Sequence, residues 1–428
     1  MCYAIPGRLI SLQGSVGTVD YYGELRKVYC DEDVAVGDFV YAQGGIVVRR
    51  VDEDEAQRIR DTWKDRFFGL KEKDGLLANS STEGASECLL PILQRINQSK
   101  PLSYAQLKSL LSHEDPDDLR LIYDLANNIR HKRHGNASCV HGIIEFSNHC
   151  RRNCHYCGIR IDRDIDRYRM TAEEIVELAR NATERLGFKA LVVQSGEDLW
   201  YEEEVLVEIV KRLKQLGILV FLSIGDRSIE LYERLYEAGA RAALLRFETS
   251  NADIFRRLRP GTRLNDRLSL IRSLKDIGYV IATGFLVGLP DETPDDIINN
   301  ILLTKSLEPE MFSFGPLIPT ERTPLASTPL SSKDMLLKII ALCRFAEPDS
   351  NILVTTAFET LDADARKTGL LSGANSLMLN ITPADYKRMY NIYQGRAGVD
   401  TDIRAAIDDT VRLLLDLGRA PTDVGIDL

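Results

Sequence analysis

From residue 140 to residue 380 the chain repeats one pattern, a short apolar run followed by a longer amphipathic stretch. The apolar runs fall at 140–146, 189–194, 218–223, 242–247, 280–287, 310–315, 352–357 and 376–380. Helix-period stretches separate them at 171–186, 203–216, 228–238, 264–277, 294–307, 332–346 and 361–372, with a last one near 400–418. Short apolar runs bounded by turn signals read as strands buried on both faces, and such strands belong to parallel sheets with helical crossovers. Eight of them in alternation predict an α/β chain with a complete (β/α)8 TIM-type barrel; one strand fewer leaves a partial barrel. In that fold chemistry gathers on the loops leaving the C-terminal ends of the strands.

The loop after the first run reads EFSNHCRRNCHYCG and carries Cys150, Cys154 and Cys157. Three thiolates on one short loop can hold three irons of a 4Fe-4S cluster. With no fourth cysteine close by, the fourth iron is open to a ligand that is not protein. The alternative is a zinc site completed by His149 or His155. Adjacent His and Cys rarely reach one tetrahedral ion, and zinc sites usually pair two separated C-x2-C halves, so the spacing favours the cluster. The other cysteines (Cys2, Cys30, Cys88, Cys139, Cys343) are scattered. That usage predicts a reducing, cytoplasmic setting rather than a disulfide framework.

A chain of 428 residues suits one large domain and a smaller one. Its net charge of -10 argues against non-specific nucleic-acid binding. No apolar stretch approaches the length of a membrane span, and MCYAIPGRLISLQG lacks the basic start and apolar centre of a signal peptide. Residues 1–74 read as strands broken by glycine, then a helix from Asp52 with acids in its first turn, which makes a small β-barrel with a C-terminal helix. The polar stretch 75–87 reads as a linker, so the barrel of 88–428 is expected to fold without what precedes it. Between 87 and 133 the pattern is helical, with breaks at Lys100-Pro101 and Asp115-Pro116.

Three constellations stand at strand ends. Gln194-Ser195-Gly196-Glu197-Asp198 follows the second run. Its glycine lets backbone approach a ligand and its acids can pair with an ammonium group; alone, the motif is also an ordinary turn. The fourth run ends Leu245-Arg246-Phe247-Glu248, so Arg246 and Glu248 point to one side, into the barrel mouth, with Arg267 on the next helix. They form either a buried ion pair or a ligand contact, and buried charges at a mouth are costly unless they serve a ligand. Thr355, Thr356 and Ala357 end the seventh run, and Met378 and Asn380 the eighth, before Tyr386, Tyr390 and Tyr393. These groups suit a small polar or anionic substrate; the tyrosine spacing equally describes a packed stripe on a helix.

The cysteine loop, QSGED, LLRFET, RLRPGTRLNDRL, VGLPDET, FGPLIPTERTPLA, VTTAFETLD and the Tyr390/Tyr393 pair together resemble the HydE family of radical S-adenosylmethionine (SAM) maturases, over residues 88 to 428. That family serves FeFe-hydrogenase assembly. The resemblance implies a full barrel, Cys150, Cys154 and Cys157 as ligands of one cluster, and SAM chelating its open iron. It implies Gln194, Ser195, Arg246, Glu248, Arg267 and Met311 around SAM, with Glu197 beside the SAM amino group. It puts Thr355, Thr356, Ala357, Met378, Tyr390 and Tyr393 toward the substrate, an organometallic iron complex with cysteine, carbon monoxide and cyanide ligands. A one-electron donor such as ferredoxin or flavodoxin is implied too. Some members carry a second, C-terminal cysteine cluster; only Cys343 follows Cys157 here, so that cluster is not expected.

Residues 1–74 resemble the HypC/HupF chaperone family of nickel-iron hydrogenase assembly, through MCYAIPG, VDYYG and VGD. In that family the cysteine after the initiator methionine binds an iron-cyanide unit with a histidine from a later strand. Ala42 stands in the histidine's place, which leaves Cys30 as a substitute ligand or the domain as a docking module for maturation proteins. The implied function is a radical SAM enzyme of hydrogenase metallocofactor assembly. Its rivals are an amino-acid mutase of the methylornithine synthase (PylB) type and a non-enzymatic scaffold that delivers iron or docks a hydrogenase precursor.

Overall fold

The computed structural model describes residues 5–31 and 33–421; Cys2 lies outside them. Five strands, β1 (Gly7–Gln13), β2 (Val16–Tyr21), β3 (Glu24–Tyr29), β4 (Phe39–Gln43) and β5 (Ile46–Val51), form a closed barrel in the order β1-β2-β3-β5-β4. Side chains alternate along β2, with Val19 and Tyr21 inside and Val16 outside. The interior of Leu9, Val19, Val28, Val40 and Val47 is covered by Trp63 and Phe67 of helix α1 (Glu53–Leu77). Asp52 starts that helix by accepting the Asp54 and Glu55 N–H groups.

Helix α1 runs past residue 74 into the stretch read as linker, and the reason is a buried carboxylate. Asp74 accepts two hydrogen bonds from Arg130, of 2.6 and 2.7 Å, and ion-pairs with Arg419 Nε at 2.8 Å, with all three side chains at most 1% exposed. His131 adds a contact of 2.6 Å. The end of α1 is therefore fastened to the helix Pro116–His134 and to the C-terminal Arg419.

The large domain is the barrel that the alternation predicts. Its parallel strands are Ala137–Ser147, Ala190–Ser195, Leu219–Ser223, Ala242–Leu244, Val280–Thr283, Met311–Phe312, Asn351–Ile352 and Ser376–Asn380. Each pairs with its neighbour in chain order, and the eighth pairs with the first from Ser376↔Cys139 to Asn380↔Ile143. The seventh and eighth meet at one bridge, Leu353 with Ser376. Within the runs at 310–315 and 352–357 the ring strands take only Met311–Phe312 and Ile352, because the chain leaves the ring there: Gly315–Pro316 pairs with Leu286–Val287 in a separate ladder, and Thr356 opens a helix. Among the described residues no helix is long and apolar enough to cross a membrane.

The N-terminal end of this barrel is closed from below. Ile46, the first residue of β5, packs inside the ring with Ala190, Leu219, Phe221, Ala242, Ala282 and Met311. Alanines on three strands leave the room it fills. Backbone follows it in closely, since a Cβ on Gly44 would stand 3.1 Å from Leu219 Cδ2. Arg241 ion-pairs with Asp31 across the same junction, and Lys189 Nζ lies 4.7 Å from the Tyr41 ring centre. The small barrel is thus the floor of the large one, where the polar linker predicts a detachable neighbour.

Candidate active site

At the open, C-terminal end lies a cavity of about 330 Å³, and Cys150, Cys154 and Cys157 all line it. Two glycines set the cysteine loop in place. A Cβ on Gly158 would fall 2.1 Å from Asn391 O, and a Cβ on Gly196 would fall 2.2 Å from His149 O. Only glycine lets the loop press against the 390–393 segment on one side and the second-strand loop on the other. The Gly158 N–H donates to Ile392 O at 2.7 Å, and the N–H groups of Arg152 and Glu197 both reach Cys150 Sγ at 3.4 Å. Burial pushes all three thiols up, and neighbouring thiolates add to it at Cys154 and Cys157. Such thiols ionise together only against the concentrated charge of a metal centre, the donor set an iron-sulfur cluster takes. Neither His149 nor His155 lines the cavity.

Every SAM-end residue named from sequence except Met311 lines this cavity. Met311 is 1% exposed and packs in one apolar cluster with Ile46 and Met378. Arg246 binds Glu248 through contacts of 2.5 and 3.1 Å, and Tyr156, from within the cysteine loop, donates to Glu248 at 3.2 Å. Glu248 has a backbone φ of +68°, a left-handed conformation that costs a non-glycine residue energy. It is held there by its own N–H and that of Phe247, both donating to Gly284 O. Glu197 is ringed by four guanidiniums: Arg152, Arg259 at 3.1 Å, Arg151 at 3.4 Å and Arg267 at 3.7 Å. Its charge is matched before any ligand arrives. Arg267, 4% exposed, also reaches Asp226 at 3.0 Å.

Thr355, Thr356, Ala357, Met378, Tyr390 and Tyr393 line the other end of the same cavity. Thr355 Oγ1 is buried with no hydrogen-bond partner among the described residues, a group that a bound molecule can satisfy. The tyrosine stripe divides. Tyr386 belongs to the helix Ala384–Met389, lies tilted against the Tyr168 ring at 4.6 Å between centres and donates to Glu174, away from the cavity. Tyr390 and Tyr393 lie past that helix and face inward.

Sequence reasoning missed the Glu145–Arg396 pair. Both side chains are at most 4% exposed, joined by two contacts of 2.8 Å, and both line the cavity beside Tyr390. Asn380 donates to Glu145, and Arg396 donates to Tyr390 O at 2.7 Å. A carboxylate inside the apolar run 140–146 was the available clue to Glu145. Arg396 stands in an aperiodic segment and gave none.

Comparison with known proteins adds the following. Residues 144–303 match the Radical SAM superfamily, residues 1–63 the HupF/HypC family, and residues 313–419 the Biotin and Thiamin Synthesis associated domain. The chain is 43% identical over 316 residues to the FeFe hydrogenase maturase subunit HydE of Thermotoga maritima, covering 74% of this chain and 90% of that protein. It is 30% identical over 343 residues to 3-methylornithine synthase of Methanosarcina acetivorans, covering 79% and 95%. Among solved structures, methylornithine synthase (PylB) superposes with a TM-score of 0.69 at 28% identity, covering 77% of this chain and 97% of that one. HydG, a maturase of the FeFe-hydrogenase, superposes at 0.67 with 21% identity, covering 84% and 79%, a likeness of fold.

Proposed function

The chain belongs to the HydE family of radical SAM proteins, and from that premise we propose that it is a hydrogenase-maturation enzyme cleaving SAM in the mouth of its large barrel. The observation that carries this reading is the convergence of Cys150, Cys154, Cys157, Arg246, Glu248, Arg267, Thr355 and Tyr390 on one cavity of about 330 Å³. Cys150, Cys154 and Cys157 would hold one 4Fe-4S cluster. Bound there, the cluster supplies one-electron reduction of SAM, which gives methionine and a 5′-deoxyadenosyl radical.

The residues of the chain bind, orient and exclude water. Arg267 is placed to take the SAM carboxylate, because its guanidinium is buried and the acids near it are shared with three other arginines. Gln194 and Ser195 offer polar contacts on the same wall. Glu248, locked by Arg246 and Tyr156, presents fixed charge with no reorganisation cost. At the far end Thr355, Thr356, Met378, Tyr390 and Tyr393 face a small substrate, for which an organometallic iron-cysteine complex is the family's candidate. The small barrel, whose sequence matches the HupF/HypC family, is proposed as the contact for other maturation proteins. Division into 1–74, 75–87 and 88–428 remains the proposed domain scheme, with α1 spanning the first boundary.

Anaerobic reconstitution with iron and sulfide, reduction in the presence of SAM, and assay for 5′-deoxyadenosine test the proposal. Absence of 5′-deoxyadenosine from cluster-loaded protein refutes it. The mutase reading has the 3-methylornithine synthase identity in its favour; stimulation of SAM cleavage by lysine would support it instead.

A further inference from the structure

Behind the cysteine loop, on the outside of the barrel, is a second concavity of about 530 Å³. Of the three cysteines only Cys150 lines it, and Cys150 also lines the active-site cavity. Glu197 lines both as well, so Cys150 and Glu197 form the wall between the two. The rim carries Ile161, Leu199 and Trp200, which are 53%, 55% and 60% exposed. Exposed apolar groups gathered at one concavity mark an interaction surface.

The charge of the groove differs from that of the chain. Four arginines and three acids line it in a protein of net charge -10. Two of those acids, Glu197 and Asp198, are 5% exposed and matched by arginines. Asp164 is the remaining acid of the lining. Arg167 gives its nitrogens to the carbonyls of Asn148, Ile159, Arg160 and Arg163, so its charge is not cancelled by a carboxylate through those bonds. Arg163 likewise donates to a carbonyl, that of Glu321. With Asp164 set against Arg163 and Arg167, the lining keeps one net positive charge beside the apolar rim.

We propose that this groove docks a small acidic one-electron carrier protein, whose electron enters through the Cys150 wall. The proposal rests on the radical SAM reading and names the face that serves it. The carrier is oxidised by one electron and the cluster reduced by one, with no proton or further reactant. Electron tunnelling falls steeply with distance, so the carrier must reach the cysteine loop where it is thinnest. A positive surface steers an acidic partner and speeds encounter, while the apolar rim supplies contact area.

The test uses the full-length, cluster-loaded chain and reduced flavodoxin at sub-saturating concentration, with bleaching of the cluster absorbance as readout. Ile161→Glu and Leu199→Glu should each slow flavodoxin-driven bleaching by about tenfold or more, while Ile161→Lys keeps at least about half the wild-type rate. Added salt should slow the wild-type reaction. Dithionite, which needs no docking site, should bleach all variants equally and support equal 5′-deoxyadenosine formation. Flavodoxin rates unchanged in both glutamate variants overturn the proposal, as does equal loss in Ile161→Lys and Ile161→Glu. Wild-type protein that fails to cleave SAM even with dithionite overturns instead the radical SAM reading beneath it.

Discussion

Cys154 is the buried thiol of the cysteine loop, while Cys150 and Cys157 are half-buried. Its replacement should be the most damaging of the three. Cys154→Ala is expected to lose the cluster, read as iron and sulfide per chain after anaerobic reconstitution, with helical content preserved. Iron at the wild-type level would count against cysteine ligation. Arg267 tests the SAM end. Removing one member of a buried charge contact costs about 2–5 kcal/mol, so Arg267→Ala should weaken SAM binding by about 30-fold or more while leaving iron content unchanged. Equal affinity would return Arg267 to a purely structural role with Asp226.

At the scale of elements, the site is a set of loops pressed together by backbone. Gly158→Ala forces a Cβ onto Asn391 O, where the contact would be 2.1 Å, so either the cysteine loop or the tyrosine segment must move. The expected result is reduced cluster loading together with weaker substrate-end protection, read by iron content and by hydrogen exchange over 390–396. Normal values for both would show that the two segments are not held by this contact. The eight strands and the cysteine loop were legible because buried strands and a C-x3-C-x2-C spacing are local patterns. The Glu145–Arg396 pair was not, since 251 residues separate its members and only the ring of strands brings them together. Nor was the entry of Ile46 into the large barrel: in sequence it is one more apolar residue of a small sheet.

At the scale of the whole molecule Ile46 of the small barrel enters the interior of the large one, and Asp74 ties the two together in one charge cluster. A chain beginning near Glu87 would leave Arg130 and Arg419 buried without Asp74 and would uncover the apolar floor. It is expected to aggregate, and a soluble, cluster-loaded fragment would refute the clamp. The same clamp has a pH signature. Burial alone would raise the Asp74 carboxyl, but the His131 hydrogen bond and the Arg419 and Arg130 guanidiniums outweigh it and hold it well below the carboxylate range. A depressed carboxyl stabilises the fold fully above its unfolded value near about 4 and loses that contribution as pH falls toward the folded value. Stability of the wild type should therefore fall on acidification below about pH 4, and Asp74→Asn should flatten that part of the curve. Asp74→Ala at neutral pH should cost about 3–5 kcal/mol in denaturant unfolding.

The position of Ile46 also sets an order of events during synthesis. It leaves the ribosome some ninety residues before the first strand of the large barrel, Ala137–Ser147. The stopper is made before the staves, and the five-stranded barrel can close on its own short-range pairings while the rest is still being translated. The later strands then assemble around a plug already in place. A gene permuted so that the large barrel is translated first would ask those strands to close over an empty floor, and its product should depend far more on chaperones.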